Sequence, residues 1–144
     1  MITGCHNTNI DKDYRVKLNR KVVSALVDTY GKFEILKIKV FAYDKCLIVP
    51  IQQRDFEALR HFREELHKSN EVFFETVMVD EHGLLLLSKR LKNYAGLRVG
   101  SRVIILGMLK YIEIWSAVRF EQYLKNSKEK FKEAVDEIGK NISK

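Results

Sequence analysis

The stretch Asp11-Lys12-Asp13-Tyr14-Arg15-Val16-Lys17-Leu18 decides how this chain is read. Asp11 and Asp13 are turn formers, because a short carboxylate accepts hydrogen bonds from backbone N–H groups two residues on. The residues after them alternate, placing Arg15 and Lys17 on one side of a short strand and Val16 and Leu18 on the other. Two cations therefore face outward while the apolar pair turns to a core. The same plan returns 69 residues later as Asp80-Glu81-His82-Gly83-Leu84, then Leu85-Leu86-Leu87, Ser88 and the basic Lys89-Arg90. A turn, strand and basic helix start that occur twice in 144 residues predict a duplicated chain.

The segments around these motifs repeat as well. Residues 1–10 read as a short edge strand, polar and little constrained. Asn19 caps a predicted helix over 20–30 that carries Val22, Val23, Leu26 and Val27 on one side and stops at Gly31. Over 33–41 Lys37 and Lys39 oppose Ile38 and Val40, the pattern of a half-buried strand. A turn at 42–45 then leads to a second strand over 46–49, ended by Pro50, which makes a hairpin. Phe56, Leu59, Phe62 and Leu66 have the spacing of an amphipathic helix that bridges the halves.

In the second half, strands are predicted over 72–79 and 84–87, with Gly83 in the tight turn between them. Ser88 caps a short helix ending at Tyr94-Ala95-Gly96, and 102–106 with 111–115 form a hairpin whose turn region holds Gly107 and Lys110. A helix with Phe120, Tyr123 and Leu124 follows Ser116. The charged tail from Asn126 carries Phe131, Val135 and Ile138 at i, i+4, i+7, as an exposed or subunit-docking helix would. The resulting division is a first unit over 5–52, a linking helix over 53–71, a second unit over 75–120 and a helical tail over 121–144.

Hydrophobic residues make up 46% of the chain and charged ones 31%, which is globular and not disordered composition. Two independent units of half this length would be marginal, so the halves are expected to pack on each other or on another subunit. The net charge of +7 and pI of about 9.4 favour anionic partners, most often nucleic acid. Cys5 and Cys46 form no Cys-x-x-Cys pair and are expected to be buried or inert thiols in a reducing compartment. With no leader-like N-terminus and no apolar run near the ~18 residues that span a bilayer, an intracellular soluble protein is expected.

The paired Asp-led turns, together with Gly4, Tyr94-Ala95-Gly96-Leu97 and Ile112-Glu113-Ile114-Trp115, resemble the MraZ family of bacterial transcriptional regulators over roughly residues 1–125. The resemblance implies an α+β fold of two tandem AbrB-like swapped-hairpin β units with short helices, plus a C-terminal helix. It also implies a ring-like homo-oligomer, cytoplasmic and nucleoid-associated, that binds double-stranded DNA repeats upstream of cell-division and cell-wall genes. No cofactor, membrane or small-molecule substrate is implied. The family motif is usually Asp-x-Lys-Gly-Arg. Here Asp13 and Tyr14 occupy its third and fourth positions, Lys12 standing one place early, and Leu84 takes the place of the second Arg. Asn19 and Ser88 replace the proline usual after each motif strand.

Arg15 is the first candidate for DNA contact, since a guanidinium can clamp phosphate or pair with guanine in the major groove. The alternative is an ion pair with Asp11 that only shapes the turn. Lys12, Lys17 and Arg20 are supporting phosphate contacts. Lys89 and Arg90 begin a second basic region, reaching Arg102 without an acid, which is either a phosphate surface or a solvated face. No enzyme signature emerges: the four histidines make no metal pattern, no Gly-rich phosphate loop is present and no carboxylate pair stands out. The rival expectation is an oligomeric protein-interaction module whose DNA surface has decayed, favoured by Asp13 and Leu84.

Overall fold

The computed structural model describes residues 2–52 and 73–142, apart from the side chains of 140–142. The expected linking helix over 53–71 lies outside the described residues. In chain order the elements are β1 (Ile2–Asn9), β2 (Arg15–Lys17), α1 (Arg20–Tyr30), β3 (Ile35–Tyr43) and β4 (Cys46–Pro50), then β5 (Phe73–Asp80), β6 (Leu84–Leu86), α2 (Lys89–Ala95), β7 (Arg102–Leu109), β8 (Tyr111–Ser116) and α3 (Ala117–Ile142). The expected α+β class therefore holds, and the second half repeats the order of the first.

The strands form one eight-stranded sheet in the order β1-β7-β8-β4-β3-β5-β6-β2. A bridge between Ile10 and Val16 brings the two ends of that order together, so the sheet is nearly closed. The repeats are interleaved: β1 of the first half pairs antiparallel with β7 of the second, and β5 of the second with β3 of the first. Equivalent strands meet as well, β2 with β6 and β4 with β8. Neither half could complete its sheet alone. This exchange answers the shortage of core expected for two separate units of this size.

Alternation along each strand sorts the side chains between two sides of the sheet. Val16, Val40, Leu47, Val49, Val79, Leu85, Ile105, Ile112 and Ile114 point to the interior, where Val22 and Leu26 of α1 and Leu91 and Ala95 of α2 meet them. On the outer side, Phe41, Cys46, Ile48, Ile104 and Trp115 form a second cluster that Ala117 and Phe120 at the start of α3 cover.

Helix α1 has the expected bounds, and the Gly31 N–H bonds back to the Val27 carbonyl. Asn19 does not cap it through its side chain, contrary to expectation: its Oδ1 is buried without a partner, and its backbone carbonyl accepts from Val22 and Val23 at 3.1 Å. Ser88 does cap α2, its Oγ accepting from the Leu91 N–H at 3.1 Å while its hydroxyl donates to Glu75. β1 is not a loosely held strand, because all eight of its residues pair with β7. Cys5 in it is exposed, whereas Cys46 is buried, and burial, with Glu113 and Asp44 nearby, pushes the Cys46 thiol far above its ordinary range.

Gly107 lies inside β7 and not in the hairpin turn, which instead falls at Leu109 (φ 72°) and Lys110. The reason is steric, since a Cβ at Gly107 would sit 2.8 Å from backbone atoms of Ile2 and Thr3. The segment after Ser116 and the tail make one continuous helix. Gly107→Ala is expected to push β1 away from β7 and to cost roughly 1–3 kcal/mol, read as a lower urea midpoint with unchanged slope.

Candidate nucleic-acid interface

The two Asp-led turns have the same internal geometry. The Oδ1 of Asp11 accepts from the N–H groups of Asp13 and Arg15, and that of Asp80 from His82 and Leu84, all at 2.9 Å. Tyr14 N–H bonds the Asp11 carbonyl at 3.1 Å, as Gly83 N–H bonds that of Asp80 at 3.0 Å. Both turns need a left-handed residue in the fourth place, where Gly83 has φ 82° and Tyr14 φ 62°. Glycine is required at 83, since a Cβ would lie 2.6 Å from Val23 Cγ2. Tyr14 carries the conformational strain of a side chain in that region, and the ammonium of Lys92 lies 4.2 Å from its ring centroid.

Each turn closes on the other half. Leu18 N–H donates to the Gly83 carbonyl at 2.8 Å, and Leu87 N–H to the Tyr14 carbonyl at 2.9 Å. Between these bonds β2 and β6 pair Arg15 with Leu86, Val16 with Leu85 and Lys17 with Leu84. A local two-fold therefore passes beside Val16 and Leu85, both fully buried. It relates Arg15 to Leu84 and Lys17 to Leu86, so the cations of this ladder all come from the first half.

The register extends the face. Leu86 also pairs with Met78, and Met78 with Lys37, so Lys37, Met78, Leu86 and Arg15 form one row across β3, β5, β6 and β2. Lys39, two residues on along β3, points the same way. Lys37 and Lys39 are visible as an alternating pair in the sequence, but only the strand register places Lys37 in one row with Arg15, with two strands between them.

The expected site residues divide between the two ends of the ladder. β6 leads through Leu87 and Ser88 into α2, so that Lys89 and Arg90 begin a helix whose start adjoins the turn of Lys12 and Arg15 and whose Lys92 lies over the Tyr14 ring. Asp11 and Asp13 are the acids of that turn. At the opposite end stand Lys17, whose ammonium donates to the His82 carbonyl, and Arg20 at the start of α1, together with Asp80 and Glu81. Lys12, Lys17, Arg20, Lys89 and Arg90 are all exposed, and the Arg90 guanidinium stacks 3.7 Å from the Phe73 ring centroid.

Arg15 is half-exposed and held in its own turn, with Nε 2.9 Å from Asp11 Oδ2 and Nη2 3.3 Å from Asp13 Oδ2. The Arg15 backbone N–H lowers the Asp11 carboxyl below the usual carboxylate range, aided by the Asp13 N–H and the guanidinium and opposed by partial desolvation. A carboxyl lowered in the folded state stabilises the fold at neutral pH, and that contribution disappears as pH falls through the folded value. Among the described residues no cluster of three or more His, Cys, Asp or Glu could hold a metal ion, and no helix is long and apolar enough to cross a membrane.

Together these features define a duplicated turn-strand-helix module, interleaved in one sheet and presenting cations on an outer face. The family model described as "MraZ protein, putative antitoxin-like" matches residues 73–141. A protein of Saccharopolyspora erythraea named transcriptional regulator MraZ is 27% identical over 96% of both chains. Proteins of the same name from Treponema denticola and Symbiobacterium thermophilum are 35% identical over 65 residues and 29% identical over 106. The Treponema match spans 44% of that protein and the Symbiobacterium match 75% of its counterpart. The chain is thus similar to the MraZ family model over its second half and to proteins named transcriptional regulator MraZ over up to 96% of its length.

Asp11→Ala is expected to lower the urea midpoint at neutral pH, and the gap from wild type should close as acid protonates the wild-type carboxyl below its ordinary range. Tyr14→Gly releases left-handed strain and loses one cation–π contact, so a net gain of roughly 0.5 kcal/mol is expected in the same titration.

Proposed function

We propose that this protein is a transcriptional regulator that binds double-stranded DNA sequence-specifically through the outer face of the β2–β6 ladder, at the end that holds Tyr14 and α2. The observation that supports this reading is the joining of α2 to the first turn, where the Leu87 N–H bonds the Tyr14 carbonyl and Lys92 lies over the Tyr14 ring, so that a helix beginning with Lys89 and Arg90 starts beside the turn that carries Lys12 and Arg15. Their role assignment follows from chemistry. Arg15 is pre-oriented by Asp11 and Asp13, and a guanidinium has five N–H donors of which these contacts engage two. It can therefore read guanine while staying anchored. Lys12, Lys89 and Arg90 supply phosphate contacts, with Lys17, Arg20, Lys37 and Lys39 extending the cationic surface along the ladder.

The helix starts support this reading. Neither α1 nor α2 has an acid in its first turn and each begins with two cations, where the macrodipole disfavours positive charge, although at α2 the Glu75 carboxylate bonded to Ser88 offsets part of this. Such a local conflict is expected where function outweighs stability. On this reading the interleaved halves are AbrB-like swapped hairpins, and copies of the chain assemble into a homo-oligomer whose repeated weak contacts add through effective concentration. Its targets would be repeats upstream of cell-division and cell-wall genes.

A second reading, an interaction module without DNA readout, is favoured by Leu84 in the position equivalent to Arg15 and by the acids that neutralise Arg15. Fluorescence anisotropy separates the two, with duplex from upstream of the chain's own gene against a scrambled duplex at two salt concentrations. The first reading predicts tighter binding to the native duplex. It also predicts loss of that preference in Arg15→Ala, and a salt slope about one unit shallower with little change in preference in Lys12→Ala. Equal or absent binding of the two duplexes by the wild-type protein supports the second reading.

A further inference from the structure

Two exposed apolar side chains sit in the middle of the cationic face. Leu86 and Met78 are cross-strand neighbours, 39% and 43% exposed, in the row that runs Lys37, Met78, Leu86, Arg15 across β3, β5, β6 and β2. An exposed leucine or methionine is ordinary when it stands alone. Here the two are paired, a cation stands at each end of their row, and Thr76, the next residue on this side of β5, is polar. The local two-fold gives Leu86 the place that Lys17 has in the first half, and Leu84 the place of Arg15. Where the first half offers groups that seek phosphate, the second offers side chains with no donor or acceptor.

The row has the dimensions of a duplex groove. Strands lie about 4.8 Å apart, so β2 to β5 measures about 10 Å, which fits the roughly 12 Å major groove, and Lys37 on β3 falls about 5 Å further out, where the phosphates stand. The row itself holds no carboxylate, so its two terminal cations suit a polyanion. On the major-groove edge guanine offers acceptors, adenine and cytosine offer donors, and the thymine C5-methyl is the one apolar group. We propose that Leu86 and Met78 read thymine, packing on C5-methyl groups next to the base that Arg15 contacts. Leu86, held in register between Arg15 and Met78, sets the spacing, and the flexible methionine follows a methyl whose position varies with the base step. This assignment rests on the DNA reading above and adds to it the base that the second half recognises.

Fluorescence anisotropy with a native duplex in which uracil replaces every thymine tests it, since the two bases pair alike and differ only in that methyl. Wild-type protein should bind the uracil duplex about fourfold or more weakly than the thymine one, the loss expected for one buried methyl. Met78→Ser with Leu86→Ser should weaken binding of the thymine duplex and bind the two duplexes alike, at unchanged circular dichroism. The wild-type comparison needs no variant, so it decides the matter even where the double variant fails to fold. Equal binding of thymine and uracil duplexes by the wild type, with both still preferred over scrambled DNA, overturns this inference and leaves the DNA reading intact. A thymine preference that survives in the double variant arises from duplex shape and also overturns it. If uracil changes nothing and the double variant instead alters sedimentation of the DNA-free protein, the pair belongs to a contact between copies of the chain. No preference for native over scrambled duplex overturns both readings.

Discussion

Two backbone hydrogen bonds, Leu18 to Gly83 and Leu87 to Tyr14, hold this molecule together in a way no single half could. Each uses a carbonyl exposed by a left-handed residue in one turn to accept from the strand end of the other half. The turn geometry, with one aspartate oxygen accepting two N–H groups, is what brings that carbonyl into position. Without the turns, β2 and β6 would be three-residue strands with little to fix their register. With them, Val16 and Leu85 are buried at the local two-fold, and the longer exchanges of β1 with β7 and β5 with β3 follow.

The same symmetry makes the sequence differences between the halves informative. Equivalent positions carry Arg15 and Leu84, Lys17 and Leu86, Tyr14 and Gly83. The backbone plan is preserved while the chemistry is divided, the first half contributing cations to the ladder and the second contributing apolar surface with Met78. Because α2 follows β6, the second half returns its own cations to the end of the ladder that holds the first half's turn. A surface built from two halves in this way depends on the fold and cannot be reproduced by either repeat as a peptide.

Much of the fold could be read from residues. The alternation at 15–18 and 33–41, the stop at Gly31 and the cap at Ser88 are local, and each depends on neighbours within a few positions. What could not be read lies in pairings distant along the chain. Gly107 resembles a turn residue until β1 is seen to run against it, and Asn19 resembles a cap although its carboxamide oxygen bonds nothing. Lys37 and Lys39 were recognisable as one face of a strand. Only the register through Met78 and Leu86 joins them to Arg15, and a register is a property of two strands.

On the proposed function, DNA lies along the β2–β6 ladder at its Tyr14 end. Amide hydrogen exchange with and without native duplex tests it most directly. Added protection over 11–15 and 88–92, with little change at 104–109, is the predicted result. Protection confined to α3, or spread evenly over the chain, would contradict the account and remove DNA from the ladder.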